Sequence, residues 1–253
     1  MATVARPWDG DDTRRRITAW IDHFDSLNDG RGIFLEMYVA ASDHVAAAGH
    51  DGTFSDPRWV AQVAEHVADY YFLTVEPDTA DPQSLPKAWT AAHHVAACED
   101  VVRTEALLLG LNAHINSDLP HAVYEVLLRE WPVARPLLDQ RRRDVFSLVD
   151  VFSEAANARG PMRRIVASWR PEVWENALSL LTAVDRPWRR GIVESIECTA
   201  SRRAHLIVCD IPGRTDLLQM RAHELQRSFP LHHDAAACKL GTAPPLWGAV
   251  TVA

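Results

Sequence analysis

The stretch GLNAHINSDLPH, residues 110–121, sets polar side chains between two apolar segments of the chain, residues 106–111 and 122–128. The polar residues at its centre are Asn112, His114, Asn116 and Asp118. A polar group in apolar surroundings costs free energy unless it is hydrogen-bonded, bound to a metal or turned to water. The stretch therefore predicts a functional site, although it does not specify a reaction.

Helical spacing would place three ionisable side chains of this stretch on one face. His114, Asp118 and His121 follow each other at i, i+4 and i+7, which aligns them along one side of an α-helix. The polar residues of the stretch also alternate with Ala113, Ile115 and Ser117, which is the period of a strand. A lone short strand among helices would have no partner, so we expect the motif to be the end of a helix that passes into a turn.

The rest of the chain carries helical periodicity between proline and glycine breaks, which predicts one all-α domain of about eight to ten helices. We expect this domain to span residues 12–228 and an extended C-terminal tail to span residues 229–253. From Leu85-Pro86 to about Asn116 the chain has no further breaker except Gly110, which predicts two helices or one bent helix. The tail is either solvated or wrapped over the helical body, and its Trp247 favours wrapping.

Charge and composition narrow the classes of partner. The chain has 26 basic and 34 acidic residues, a net charge of 26 minus 34, or −8, and this argues against nucleic acid. The arginine runs 14–16 and 141–143 have acidic neighbours and are interpreted as solvated helix faces. Four scattered cysteines without a CxxC pair, no signal peptide and no membrane span predict a cytoplasmic protein. We expect no membrane partner and a small-molecule substrate, and the oligomeric state stays open.

The extended motif GLNAHINSDLPHAV resembles an uncharacterised bacterial family, frequent in actinobacteria, whose signature reads approximately GxNAHINxDLPxAV. Four other segments also resemble segments of that family and occur in a similar order. They are Met37-Tyr38, PKAW at 86–89, RRDVFSLVD at 142–150 and SWRPEVWENA at 168–177. The resemblance covers roughly residues 15–210 and ends before the tail. It implies an all-helical cytoplasmic protein with its polar residues at the central motif, and it brings no assigned reaction.

A second resemblance concerns metal chemistry. His114, Asp118, Pro120 and His121 are similar in pattern to the core of helical zinc-dependent phospholipases C and single-strand nucleases, which bind metal between helices through His and Asp. The chain departs from these secreted proteins because Trp8 is not terminal, whereas they use an N-terminal Trp as a ligand, and because the spacing from Pro to His differs. Zinc or iron would be the metal, and its candidate ligands are His114, Asp118, His121 and, from the preceding helix, His93.

The leading hypothesis is a small-molecule enzyme with non-redox chemistry, by hydrolysis, elimination or cyclisation, in bacterial specialised metabolism. His114 and Asp118 would transfer a proton or bind a divalent metal, and Asn112 and Asn116 would hold a polar group of the substrate. No nucleotide cofactor is expected, since no glycine-rich phosphate loop is present.

Two alternatives to this hypothesis stay open. One is a non-haem iron oxygenase of the helical-bundle type, although such proteins usually carry Glu-x-x-His pairs, which this sequence lacks. The other is a non-enzymatic binding or scaffold protein in which the motif is a structural clasp. A separate structural interpretation of Asp118 is that it is only the N-cap of the helix that begins at Leu119.

Overall fold

The computed structural model describes residues 10–76, 85–98, 102–131, 133–156 and 161–209, and within these residues it is all-α without a strand, as predicted. The α-helices are α1 (Gly10–Ser26), α2 (Gly32–His50), α3 (Pro57–Val75), α4 (Lys87–Ala96), α5 (Arg103–Ala113), α6 (Leu119–Glu130), α7 (Leu138–Ala155), α8 (Pro161–Ser168), α9 (Arg170–Thr182) and α10 (Arg189–Cys209). A short 3-10 helix at Arg135–Leu137 precedes α7. The predicted tail at 229–253 lies outside the described residues. No described helix is long and apolar enough to cross a membrane.

Local signals in the sequence explain several helix ends. Asp56 caps α3, since its side chain accepts a hydrogen bond from the backbone N–H of Trp59 at 3.1 Å. Pro57 follows in the first turn, where a missing N–H costs nothing. The stretch before the motif forms two helices, α4 and α5, which confirms the first of the two predicted arrangements.

The motif itself does not end a helix. Residues His114–Asp118 form a π-helix that joins α5 to α6, so the chain is helical from Arg103 to Glu130 without a break. The predicted turn was therefore wrong. A π-turn accommodates one extra residue while the backbone stays hydrogen-bonded, and an inserted residue leaves no proline or glycine signal in the sequence.

This continuous helix runs through the core of the protein. Its π-helical segment packs against α3, α9 and α10, and α5 packs against α2, α4 and α10. Every residue from Leu109 to Pro120 is buried. The four polar residues of the motif therefore lie in the interior of the helical domain.

Gly110 is required for a close approach between two helices. A Cβ atom at this position would lie 2.5 Å from Cδ2 of Phe34 on α2, which is closer than carbon atoms can pack. The glycine therefore allows the Phe34 ring to lie directly on the backbone of α5, one turn before the π-helix.

The interpretation of residues 141–143 as a solvated face is wrong for Arg141. Its side chain is only 5 % exposed and donates hydrogen bonds to Asp56 at 2.7 Å and to both carboxylate oxygens of Glu130 at 3.1 and 3.0 Å. Arg142 and Arg143 are exposed, as expected. The buried guanidinium links α7 to the start of α3 and the end of α6, which a charge pattern in the sequence cannot reveal.

Candidate functional site

His114 lies in a cage of aromatic rings. Its side chain is 0 % exposed, and four rings from α2, α4 and α7 meet the imidazole edge-on. The ring centroids lie at 4.8 Å (Tyr38), 5.3 Å (Phe152), 5.4 Å (Phe34) and 6.3 Å (Trp89). Neither imidazole nitrogen makes a hydrogen bond to any described residue. Buried polar atoms are almost always paired, so this imidazole is held at some cost to stability.

Asp118 is the ionisable neighbour of His114. Its Oδ2 lies 3.4 Å from His114 Nδ1 and accepts a hydrogen bond from the indole N–H of Trp89 at 2.8 Å. The carboxyl group makes no hydrogen bond to the first turn of α6. The alternative in which Asp118 serves only as a helix cap is therefore wrong.

Burial moves the two pKa values in opposite directions. It raises the pKa of the Asp118 carboxyl well above its usual range, although the bond from Trp89 and the charge of His121 oppose this. Burial lowers the pKa of His114 to about 3. Both shifts favour the uncharged forms of the two groups, a protonated carboxyl beside a neutral imidazole.

The two asparagines are bonded to other parts of the protein. Asn112 Nδ2 donates to the backbone carbonyl of Ala200 on α10 at 2.8 Å, and Asn116 Nδ2 donates to Asn112 Oδ1 at 3.1 Å. Arg203 donates to Asn116 Oδ1 at 3.0 Å and forms an ion pair with Glu172. This chain of bonds ties the motif to α10 and α9, which is the behaviour expected of a clasp rather than of substrate-binding groups.

His121 makes its hydrogen bond outside the pair formed by His114 and Asp118. Its Nδ1 donates to the carbonyl of Ser117 at 2.8 Å, and the Ser117 hydroxyl lies 3.3 Å from Glu197 on α10. Glu197 also accepts a bond from the backbone N–H of Lys87 at 3.2 Å, and burial raises its pKa. Because the π-turn inserts a residue, the α-helical spacing that aligned His121 with His114 no longer applies.

His93 lies next to Trp89 on α4. Its ring stacks on Trp89 with a centroid distance of 5.2 Å, and its Nε2 lies 2.9 Å from Thr74 Oγ1. Of the four candidate metal ligands, the described residues bring His114 and Asp118 together and give His93 and His121 other partners. Among those described residues, no three or more His, Cys, Asp or Glu side chains form a group that could hold a metal ion.

Sequence reasoning missed three residues that shape this site. Trp89 bonds Asp118, Glu197 bonds Ser117, and Arg203 bonds Asn116. They lie 29 to 87 positions away from their partners, so no local spacing connects them. One signal in the sequence pointed to Trp89, since the PKAW segment is among those that resemble a known family.

Comparison with known proteins places this site in a family. A family described as Family of unknown function (DUF5995) matches residues 11–159, more than half of the chain. The chain belongs to this family. The match contains the motif and all four rings of the aromatic cage, but it ends before residues 168–177 and before the α9 and α10 partners of the asparagines. No curated protein and no solved structure matches the chain.

Proposed function

We propose that this protein is a non-redox small-molecule enzyme in which His114 and Asp118 form the acid–base pair. The observation that carries the proposal is the His114 imidazole, fully buried, without a hydrogen bond at either nitrogen to any described residue and 3.4 Å from the Asp118 carboxyl. π-Helical turns inside α-helices occur frequently at functional sites, and buried ionisable groups with shifted pKa values are typical of active sites.

Burial favours the uncharged form of both groups, which makes His114 a weaker base and Asp118 a weaker acid but leaves each able to take one part in a proton transfer. A neutral imidazole has one lone pair and accepts a proton, and a neutral carboxyl donates one or gives a hydrogen bond to a developing negative charge. Trp89 holds the Asp118 oxygen in place through its indole N–H. Because the aromatic cage excludes water from His114, it favours elimination or cyclisation among the three reaction classes, whereas hydrolysis needs a water beside the imidazole.

The test is a substrate screen with two isosteric variants. Purified protein is incubated with small-molecule libraries from bacterial specialised metabolism, which the resemblance to an actinobacterial family favours, and turnover is followed by mass spectrometry. We expect His114→Leu and Asp118→Asn to lower any turnover by roughly 10²- to 10⁴-fold while the proteins stay folded. Turnover that survives in both folded variants would refute the assignment.

Metal dependence is separated from acid–base catalysis by metal analysis of protein purified without a histidine tag. About one equivalent of zinc or iron that is lost in His114→Leu would replace the acid–base proposal with a metal site at His114 and Asp118.

The remaining candidate function is a helical scaffold, and the chain of hydrogen bonds from Asn112 through Asn116 to Arg203 supports it. A scaffold predicts that His114 and Asn112 contribute to stability alike.

A further inference from the structure

A small cavity lies beside the aromatic cage, between α2, α3, α4 and α5. Its inner wall consists of buried residues that include Phe34, Tyr71, Trp89 and Gly110, and its outer side carries the partly exposed Arg31 and His93. The cavity volume of ≈ 10 Å³ is close to the space that one water molecule needs. Any larger molecule must therefore displace part of the wall.

Two polar groups in this wall have unused hydrogen-bonding capacity. The Tyr71 hydroxyl is buried and has no partner among the described residues. Thr74 uses its hydroxyl proton on the Tyr71 carbonyl at 2.7 Å, so its oxygen accepts from His93 Nε2–H at 2.9 Å. A neutral His93 that carries its proton on Nε2 has a lone pair on Nδ1. The lining residues thus include one hydroxyl without a partner among the described residues, on Tyr71, and one imidazole with a lone pair, on His93.

The residues that line the cavity present no unpaired charge to a ligand. Asp29 holds the Arg31 guanidinium through bonds of 2.6 to 3.0 Å. Burial lowers the pKa of His93 to about 4, and burial raises the pKa of Tyr71 above its usual range, so both are neutral at pH 7. A charged molecule would have to give up its hydration without gaining a counter-ion.

One layer of aromatic rings separates the cavity from His114. Phe34 and Trp89 line the cavity and also contact the imidazole, with centroid distances of 5.4 and 6.3 Å. Trp89 is fixed by its bond to Asp118. Phe34 has no polar group with which to form such a bond, so packing alone holds its ring in place.

We propose that this cavity is the access chamber of the His114 site and that it binds neutral, flat molecules with one hydroxyl or carbonyl group, which reach His114 when the Phe34 ring moves. This substrate class rests on the acid–base function proposed for His114 and Asp118. Tyr71 would donate to the oxygen of the molecule, and His93 Nδ1 would accept from a hydroxyl. The rings of Phe34, Tyr71 and Trp89 would contact its flat face.

Phenol is the probe for this chamber, with toluene as the apolar analogue and benzoate as the charged one. In Phe34→Ala, titration calorimetry should show phenol binding at least about tenfold tighter than in the wild type, and benzoate at least about tenfold weaker than phenol. Adding Tyr71→Phe to Phe34→Ala should weaken the binding of phenol by about three- to tenfold, as expected for one lost hydrogen bond. The binding of toluene should stay unchanged. Tyr70→Phe is the matched control, because the Tyr70 hydroxyl bonds Glu125 and does not line the cavity.

Phe34→Leu removes fewer atoms and replaces Phe34→Ala if the alanine variant does not fold. The proposal is overturned if neither folded variant binds phenol more tightly than the wild type, or if Tyr71→Phe and Tyr70→Phe affect phenol equally. The same titrations in a His114→Leu background separate the two proposals. Phenol binding that persists there, with no turnover that depends on His114, would retain the chamber and refute the acid–base pair. Turnover that depends on His114 without phenol binding would retain the acid–base pair and refute the chamber.

Discussion

Replacing His114 by leucine should make the protein more stable. The imidazole is fully buried and both of its nitrogens lack partners among the described residues, which costs roughly 1–3 kcal/mol. Leucine has a similar volume, but its shape fits the aromatic cage less well, at a cost below about 1.5 kcal/mol. The free energy of unfolding should therefore rise by about 1 kcal/mol, and Tm by about 2–4 °C for a domain of this size.

The pH dependence of this variant has a definite sign. In the unfolded chain between about pH 4.5 and 6 the histidine holds the proton of the pair, whereas in the folded protein the lowered pKa of His114 and the raised pKa of Asp118 favour a proton on Asp118. The two shifts therefore act in opposite directions on the pH dependence of wild-type stability. In His114→Leu, the raised pKa of Asp118 lets the folded protein keep a proton that the unfolded chain loses. Relative to wild type, stability should rise as the pH falls, by up to about 1.4 kcal/mol per pH unit.

Asp118→Asn should give the opposite slope. The folded pKa of His114 is lowered to about 3, whereas an unfolded histidine takes up a proton near pH 6.5. Stability relative to wild type should therefore fall as the pH drops below about 6.5, again by up to about 1.4 kcal/mol per pH unit.

Urea unfolding followed by circular dichroism, at half-unit steps from about pH 4.5 to 7, measures both effects. If the site instead held a charged imidazolium and a carboxylate, removing His114 would leave a buried unpaired charge and cost about 3–5 kcal/mol. A loss of that size in His114→Leu would refute the neutral pair.

Three further predictions use the same unfolding assay. Asn112→Ala should lose about 1–3 kcal/mol, because the Asn116 amide is left without its acceptor, and an unchanged stability would contradict the clasp. Gly110→Ala should lose about 1–3 kcal/mol by overpacking against Phe34, whereas the control Gly191→Ala, which meets no atom within 4 Å, should gain about 0.5–1 kcal/mol. Trp89→Phe should lose about 1–3 kcal/mol, since Asp118 Oδ2 loses its donor, and equal stability would show that the indole N–H is dispensable.

The helical class and most helix positions could be predicted because both depend on local signals. The apolar period predicts α-helices in almost every described segment, and a cap such as Asp56 followed by Pro57 marks a helix start. The motif could also be recognised as a candidate site, since polar residues between apolar segments stand out by composition alone.

The roles of the individual motif residues could not be predicted in the same way. From the sequence, Asn112, His114, Asn116 and Asp118 form one polar cluster. In the structure, His114 lies beside Asp118 without a hydrogen bond to a described residue, and the two asparagines form a pair that is bonded to α10. This division depends on α10 and on the aromatic cage, whose residues come from distant parts of the chain.

The sequence by itself therefore determined the helices and the location of the polar centre, because hydrophobic period and capping act over a few residues. Tertiary structure decided the chemistry of that centre. Burial in the packed interior shifts the pKa values of His114 and Asp118 in opposite directions, and burial depends on packing rather than on neighbours in the chain.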